Sequence, residues 1–490
     1  MAFLTEAANR GSISTGYEIA NSLLLEGSDS GMNFNHQQMT TGGDDQWAAN
    51  ANAGTNTKKA TISMWIKRSA LSPSSGNGQH MRLFHFITGG TATSLYLTND
   101  KINMYDDSTS AYLVSNRLLR DFSAWYHIVL AMDSTQSTAA NRVKIYINGV
   151  QETSWSNEDY GNQDAVLGMF SNSHVTWILG AAGSNNGQYT FNGYMAEVHF
   201  VDGEQKAETD FGEFDSSGIW VPIEYEGNYG TLGAYYNFED TSNNRFNDES
   251  GNGNFMDNRG GSFEGKITTD TPTNNFNTLN SLIPYAVQSG APVITYGQTR
   301  HNGSGGWTGM KGTIGVNKGK WYWELSTDSG TGAELIHGIQ TVSIQGNSSE
   351  STATSAHNLL ETAAWYVNGG HWIKDSTSGR DDIAAGSITQ TYGNTVIHAV
   401  ALNMDDGEIT YYANGSVVSG LNQVDLDGLA GETVAPFASV YNQVLEWNFG
   451  GVTEISISSA ATDANGYGSF EYAPPSGYYA LCSKNLAEFG

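Results

Sequence analysis

Apolar and polar residues alternate along this chain in runs of strand length that end at tight-turn residues, and this pattern constrains the fold more than any other feature. In 61–67, Ile62, Met64 and Ile66 share one face with Trp65 opposite. Period two marks a strand with one face on a core, because successive side chains leave the backbone on opposite sides. Residues 125–133 follow, and then Val143, Ile145 and Ile147 alternate with Lys144 and Tyr146 up to Asn148-Gly149. Asn-Gly is the strongest short hairpin signal, since both central positions of a type I′ turn need φ > 0. Segments 191–201 and 232–238 supply further strands. Later, Trp321, Trp323 and Leu325 share a face, 396–405 is followed by 409–415 with its own Asn414-Gly415, and 446–450 lies near the end. Helical periodicity is scarce. The expected fold is all-β, with two jelly-roll-type antiparallel β-sandwich domains joined by a linker.

Two domains also suit the length, since 490 residues exceed what one core usually supports. The 58 glycines fit many tight turns between short strands. With a formal charge of −28, an electrostatic grip on nucleic-acid phosphates or an anionic membrane is disfavoured. No nucleic-acid partner and no membrane insertion are expected. Cys482 is the one cysteine, so stability must come from packing and not from an intrachain disulfide. The N-terminus lacks the basic-then-apolar pattern of a secretory signal, which leads to the expectation of a protein made in a cytoplasm.

Between 241 and 284 the composition shifts to Asn, Gly, Asp and Thr, and the linker is expected there. The two halves echo each other: His127 to Asp133 and then Ile145 to Gly149 parallel His398 to Asp405 and then Tyr411 to Gly415. Both look like one strand pair of a curved sheet, and convergence on the same hairpin chemistry is the plain alternative.

The motifs at 125–129, 144–149 and 191–198 together resemble the laminin-G-like, concanavalin A-type lectin/glucanase fold. Those at 319–324, 400–407 and 411–415 resemble a SPRY domain. The whole arrangement resembles tail-fibre or capsid-fibre proteins of bacteriophages. The resemblance implies an N-terminal virion-attachment segment at 1–21, a laminin-G-like sandwich at 22–248, a linker at 249–284 and a SPRY-like sandwich at 285–490. It also implies a virion location, other virion proteins as partners through the N-terminal segment, and a homo-oligomer, by family habit a trimer.

Catalysis is not expected. A retaining glucanase of this fold needs carboxylates about 5 Å apart, which alternate positions on one strand supply. Here Glu197, His199 and Val201 share a face, but the second and third carboxylates are missing. Glu224 and Glu226 are bracketed by Pro222 and Gly227 and read as a turn. No cofactor is expected. Calcium, which related sandwiches often hold through oxygen ligands, would draw on Asn99, Asp100, Asp106 and Asp107, or on Asp248, Asn252 and Asn254. The same residues read equally as turn formers whose side chains satisfy backbone groups.

Trp65, Trp125, Trp321, Trp323 and Trp447 are assigned to cores, as strand tryptophans usually are. Trp155, Tyr160, Trp365, Tyr366, His371 and Trp372 lie nearer expected loops and are the ligand-binding candidates, with His371-Trp372 following the Asn368-Gly369-Gly370 tip. The functional expectation is a fibre or appendage protein that binds host-surface polysaccharide. The alternative is a decoration protein that mainly holds neighbouring subunits.

Overall fold

The structure is a computed structural model, and it describes residues 16–26, 39–41, 54–72, 80–88, 91–171, 176–180, 189–239, 245–258, 267–282, 285–287, 292–302, 306–328, 334–343, 361–367, 371–374, 381–383 and 396–490. It is all-β, as the alternation requires, with a short α-helix at Ser483–Phe489. The chain divides into two compact units, with the boundary between Thr273 and Asn274.

The N-terminal unit is a sandwich of two antiparallel sheets. The eight-stranded sheet is centred on Lys59–Arg68, flanked by Trp125–Asp133 and Gly193–Asp202. The nine-stranded sheet runs Trp155–Asp159, Ala111–Leu118, Lys101–Asp106, Thr91–Thr98, His80–Thr88, Thr176–Leu179 and on to three short strands. Between the sheets lie Ile62, Met64 and Ile66 from one side and Leu95, Leu97, Ile102, Met104 and Trp177 from the other. These are the residues that period two places in phase.

The C-terminal unit repeats the scheme with a seven-stranded and a nine-stranded sheet. Its core holds Trp321, Trp323, Leu325, Trp365 and Trp447, all fully buried. Lys320–Thr327 pairs with His398–Asn403 on one side and Val444–Asn448 on the other.

The segment expected as a linker, 249–284, is built into both units. Met256–Asn258 pairs with Met39–Thr41, and Ile267–Thr268 pairs with Ser22–Leu25. Beyond the boundary, Leu279 joins the C-terminal core and Phe276 packs near Cys482. Many of its Asn, Asp and Thr side chains are buried and bonded within the protein: Asn277 Oδ1 accepts from the Ile314 N–H at 2.8 Å, and Asp270 takes the Lys67 ammonium at 2.8 Å. A polar composition indicates solvent only when the polar groups lack internal partners. Of the expected attachment segment, residues 1–15 lie outside the described residues. Tyr17 and Ile19 belong to the N-terminal unit, where Ile19 is buried and its backbone exchanges hydrogen bonds with Thr273 Oγ1.

Lys67 and Asp270 are both almost wholly shielded from solvent, and Asp270 also accepts from Trp125 Nε1 at 3.2 Å. Burial pulls the Lys67 ammonium below its ordinary pKa, against the opposing pull of Asp270. Asp270→Ala strands that charge and is expected to cost about 3–5 kcal/mol in urea unfolding, with Lys67→Met in the same chain recovering a large part. Equal stability of the single and double variants would contradict the pairing.

Candidate functional site

The strands of the nine-stranded sheet carry a second set of residues in the opposite phase to the core. Leu95 and Leu97 face inward, so Tyr96 faces out; Ile102 and Met104 face inward, so Asn103 and Tyr105 face out. A bulge between Arg82 and Phe84 keeps Arg82 outward while Met81, Leu83 and Phe84 stay in the core. Arg82 stands directly across from Tyr96, Tyr96 from Asn103, and Tyr105 from Tyr112. The Arg82 N–H donates to the Tyr189 carbonyl at 3.0 Å, which brings a further ring onto the same face.

The result is a guanidinium enclosed by phenol rings. The Arg82 Cζ lies 4.4 Å from the Tyr96 ring centroid, 5.1 Å from Tyr105 and 5.8 Å from Tyr189. One of its nitrogens donates to Ser94 Oγ. His80 packs against both Tyr96 and Tyr189, with centroids 5.4 Å away in each case. Tyr112 is 42 % exposed and Arg82, Tyr105, His80 and Tyr189 are half-buried, whereas Tyr96, Asn103 and Ser94 are buried beneath them, so the face meets solvent through its tyrosine and arginine rim. Burial raises the Tyr96 and Tyr105 phenols above their ordinary pKa. Burial, reinforced by Arg82, holds His80 below its ordinary value and His85 down at about 3. Near neutral pH the histidines and phenols are therefore uncharged and Arg82 supplies the charge. Aromatic faces beside hydrogen-bonding groups on a rigid sheet are what a sugar ring needs, because it presents C–H bonds on one side and hydroxyls at its rim.

The structure distributes the sequence-derived candidates differently. Trp155 and Tyr160 are half-buried and pack against the N-terminal core at the edge strand of this sheet, and Tyr160 Oη donates to Glu158 at 3.1 Å. Trp365 is not a loop residue: it sits at the centre of the C-terminal core, fully buried among His337, His398 and Tyr411. Tyr366 faces the other way, half-buried beside Trp307. His371 and Trp372 pair by backbone with Trp365 and Ala364; their side chains lie outside the described residues. Trp155 and Tyr160 belong to the N-terminal unit, and Trp365, Tyr366, His371 and Trp372 to the C-terminal one. Reading the residues out of phase with the core would have found Arg82, Tyr96 and Tyr105.

Glu197 marks a separate, buried cluster on the outer face of the eight-stranded sheet. A bulge between Ala196 and His199, with Glu197 at φ 48°, puts Met195 and Val198 in the core and both Glu197 and His199 outside it. Glu197 accepts from Tyr17 Oη at 2.7 Å and Tyr235 Oη at 2.9 Å, and His199 stacks on Tyr235 at 4.4 Å. Next to it, Trp220 Nε1 donates to His127 Nδ1 at 3.0 Å, and His127 Nε2 lies 2.8 Å from Ser63 Oγ. The Gly212–Phe214 and Trp220–Pro222 strands cover the cluster. The crevice beneath, lined by Ser63, Trp65, His127, Glu197 and His199, has no room for a water molecule.

The aspartates among the calcium candidates accept hydrogen bonds or ion pairs within the protein. Asp100 binds Arg68 and Arg120 in a turn with φ 51° at Asn99 and 62° at Asp100. Asp106 accepts from Thr93 Oγ1, Gly168 N and Thr109 N, and Asp107 from Ala92 N. Asp248 accepts from the backbone of Tyr235, Ser250 and Asn254, while Asn252 and Asn254 donate to carbonyls between 230 and 233.

Residues 41–209 match the family model described as the concanavalin A-like lectin/glucanases superfamily. The matched span contains the Arg82 face and most of the strands that build it. No curated protein matches the chain. Among solved structures, the SPRY domain of human HERC1 is similar at 14% identity, covering 34% of this chain and 96% of that one, with a TM-score of 0.25. A heptameric SAP-like pentraxin from Limulus polyphemus is 13% identical over 39% of this chain and 80% of its own, with a TM-score of 0.27. Domains LG4-5 of the mouse laminin alpha1 chain cover 94% of this chain and 96% of their own at 9% identity, with a TM-score of 0.28.

His127 makes this unit acid-sensitive. Burial lowers its pKa from 6.5 to about 3, so the unfolded chain takes up a proton at a pH where the folded one does not. Its contribution is complete above pH 6.5, is lost progressively as the pH falls toward 3, and loses nothing further below that. His127→Gln is expected to flatten the pH dependence of urea stability in that window by up to about 1.4 kcal/mol per pH unit. An unchanged slope would show that His127 is already protonated in the folded protein.

Proposed function

We propose that this chain is a carbohydrate-binding protein that acts by recognition and not by catalysis, and that the Arg82 face of the N-terminal sandwich receives the sugar. The observation that carries this reading is the half-exposed aromatic row on a rigid sheet, within the span matched by the lectin/glucanase family model. Tyr105, Tyr112 and Tyr189 offer ring surface at the half-buried to exposed rim, and their phenol hydroxyls with the Arg82 guanidinium offer hydrogen bonds. The Glu197 cluster supports the non-catalytic part, since its buried carboxylate is held by two tyrosines.

The resemblance of the two-domain arrangement to phage fibre proteins supports a place for this surface on a virion, where host-surface polysaccharide would be the ligand. A glycan array probed with the full-length protein tests the reading, with reproducible binding to a defined saccharide class expected. Tyr112→Ala, at an exposed position, is expected to weaken that binding about tenfold, or ~1.4 kcal/mol, with an unchanged melting temperature. Array silence, or binding indifferent to Tyr112 and Tyr105 alike, would remove this face as the site.

A further inference from the structure

The chain is strongly acidic, yet the strands that carry Arg82 and Tyr96, and the segment that carries Tyr189, come from acid-free stretches, while the far end of the face carries Asp159 across from Tyr112. No Asp or Glu occurs between 46 and 99, which supplies the strands His80–Thr88 and Thr91–Thr98, or between 165 and 196, which supplies Tyr189. The chain has 50 acidic residues in 490, so acid-free stretches of this length stand out. Arg68, Arg117, Arg120 and Arg300 each pair with a carboxylate, and Arg142 is held by three backbone carbonyls. Arg82 has no carboxylate within ion-pairing distance among the described residues, and its Nε has no hydrogen-bond partner. Asp107, the acid nearest Tyr105 on this side, is exposed and bonded to the Ala92 N–H.

Leaving a half-buried guanidinium unpaired is costly unless something else supplies the anion, because the aromatic cage returns only about 0.5–2 kcal/mol. The planar fork of arginine matches the paired oxygens of a carboxylate or sulfate. The rings that hold the fork in place are the same ones that would stack on a sugar. We propose that the Arg82 face binds an acidic saccharide, one whose sugar units carry carboxylate or sulfate groups, with the anionic group on Arg82 and the ring on the neighbouring tyrosines. This proposal rests on the carbohydrate-binding reading and narrows it to one class.

Calorimetry on the full-length protein tests it with three probes: trigalacturonic acid, its neutral methyl ester, and a sulfated carrageenan oligosaccharide. At least tenfold tighter binding of either anionic probe than of the ester is expected. That preference should be abolished in Arg82→Gln and reduced in Arg82→Lys, which keeps the charge and loses the fork. The Lys variant also serves where the Gln variant fails to fold, as read by thermal melting. Preference for the carboxylated or the sulfated arm says which group the site takes. Equal binding of ester and acid, untouched by either Arg82 variant but weakened by Tyr112→Ala, overturns the acidic class and leaves the carbohydrate reading standing. No binding of any of the three probes overturns the proposal as well.

Discussion

Two adjacent basic residues at the end of one strand tie the N-terminal sandwich together. Lys67 and Arg68 leave the Lys59–Arg68 strand on opposite faces, and both are fully buried. Lys67 reaches outward to Asp270, the anchor of the returning segment that closes the unit. Arg68 reaches inward to Asp100, in the turn between two strands of the opposite sheet. Each charge is too expensive to bury alone, so each position demands its carboxylate at a fixed distance. This sets the spacing of the two sheets at that end and the path of the chain outside them. The central sheet is consequently buried on both faces, which an alternating one-sided pattern does not announce.

The two units use the same device to finish a sheet. Asn148-Gly149 and Asn414-Gly415 both adopt positive φ at both positions, as a type I′ turn requires. Each asparagine also bonds back to the neighbouring strand: Asn148 Oδ1 accepts from His127 N at 2.7 Å, and Asn414 Oδ1 from Ile397 N at 2.9 Å. An aromatic ring then lies over each turn glycine. A Cβ on Gly149 would stand 2.1 Å from Trp220, and one on Gly415 would stand 2.5 Å from Tyr472. The echo in the sequence is therefore real as a hydrogen-bonding device, but its register is offset by one. Matching His127 to His398 by identity pairs residues on opposite faces, since the bonded equivalent of His127 is Ile397. A one-residue slip reverses every side chain. His127 lies under the outer hairpin and His398 lies in the C-terminal core.

The same rule separates what was legible in the sequence from what was not. Residues in phase with a core declare themselves by apolar repetition, which is why Ile62, Met64, Ile66, Trp321 and Trp323 read correctly. Trp65 and Trp125 are also buried, but beneath the outer cover and not between the sheets. The opposite phase mixes Arg82, Ser94, Tyr96, Asn103 and Tyr105 without a pattern, and only the sheet order turns them into one surface. Position relative to glycine-rich loops drew attention to Trp365, which the pairing of Thr362–Tyr366 with Glu334–Thr341 draws into the interior instead. The supposed linker failed for a related reason, because asparagine and threonine suit a solvated tether and a hydrogen-bonded interior equally well.

Charge distribution, unlike side-chain phase, needs no pairing to be read, and the long acid-free stretches stand in the sequence itself. Their meaning depends on distance. At physiological ionic strength charges are screened over about 8 Å, so a ligand touching Arg82 responds to the few groups within that radius and hardly to the net −28. The surrounding neutral phenols and neutral histidines add nothing to oppose it. Farther out, the acidic surface repels an approaching anion everywhere except where acids are missing. The excess of carboxylates that argues against phosphate backbones as partners therefore does not argue against an anionic group at this face. It leaves room for such a group at Arg82, whose half-buried guanidinium has no carboxylate within ion-pairing distance among the described residues.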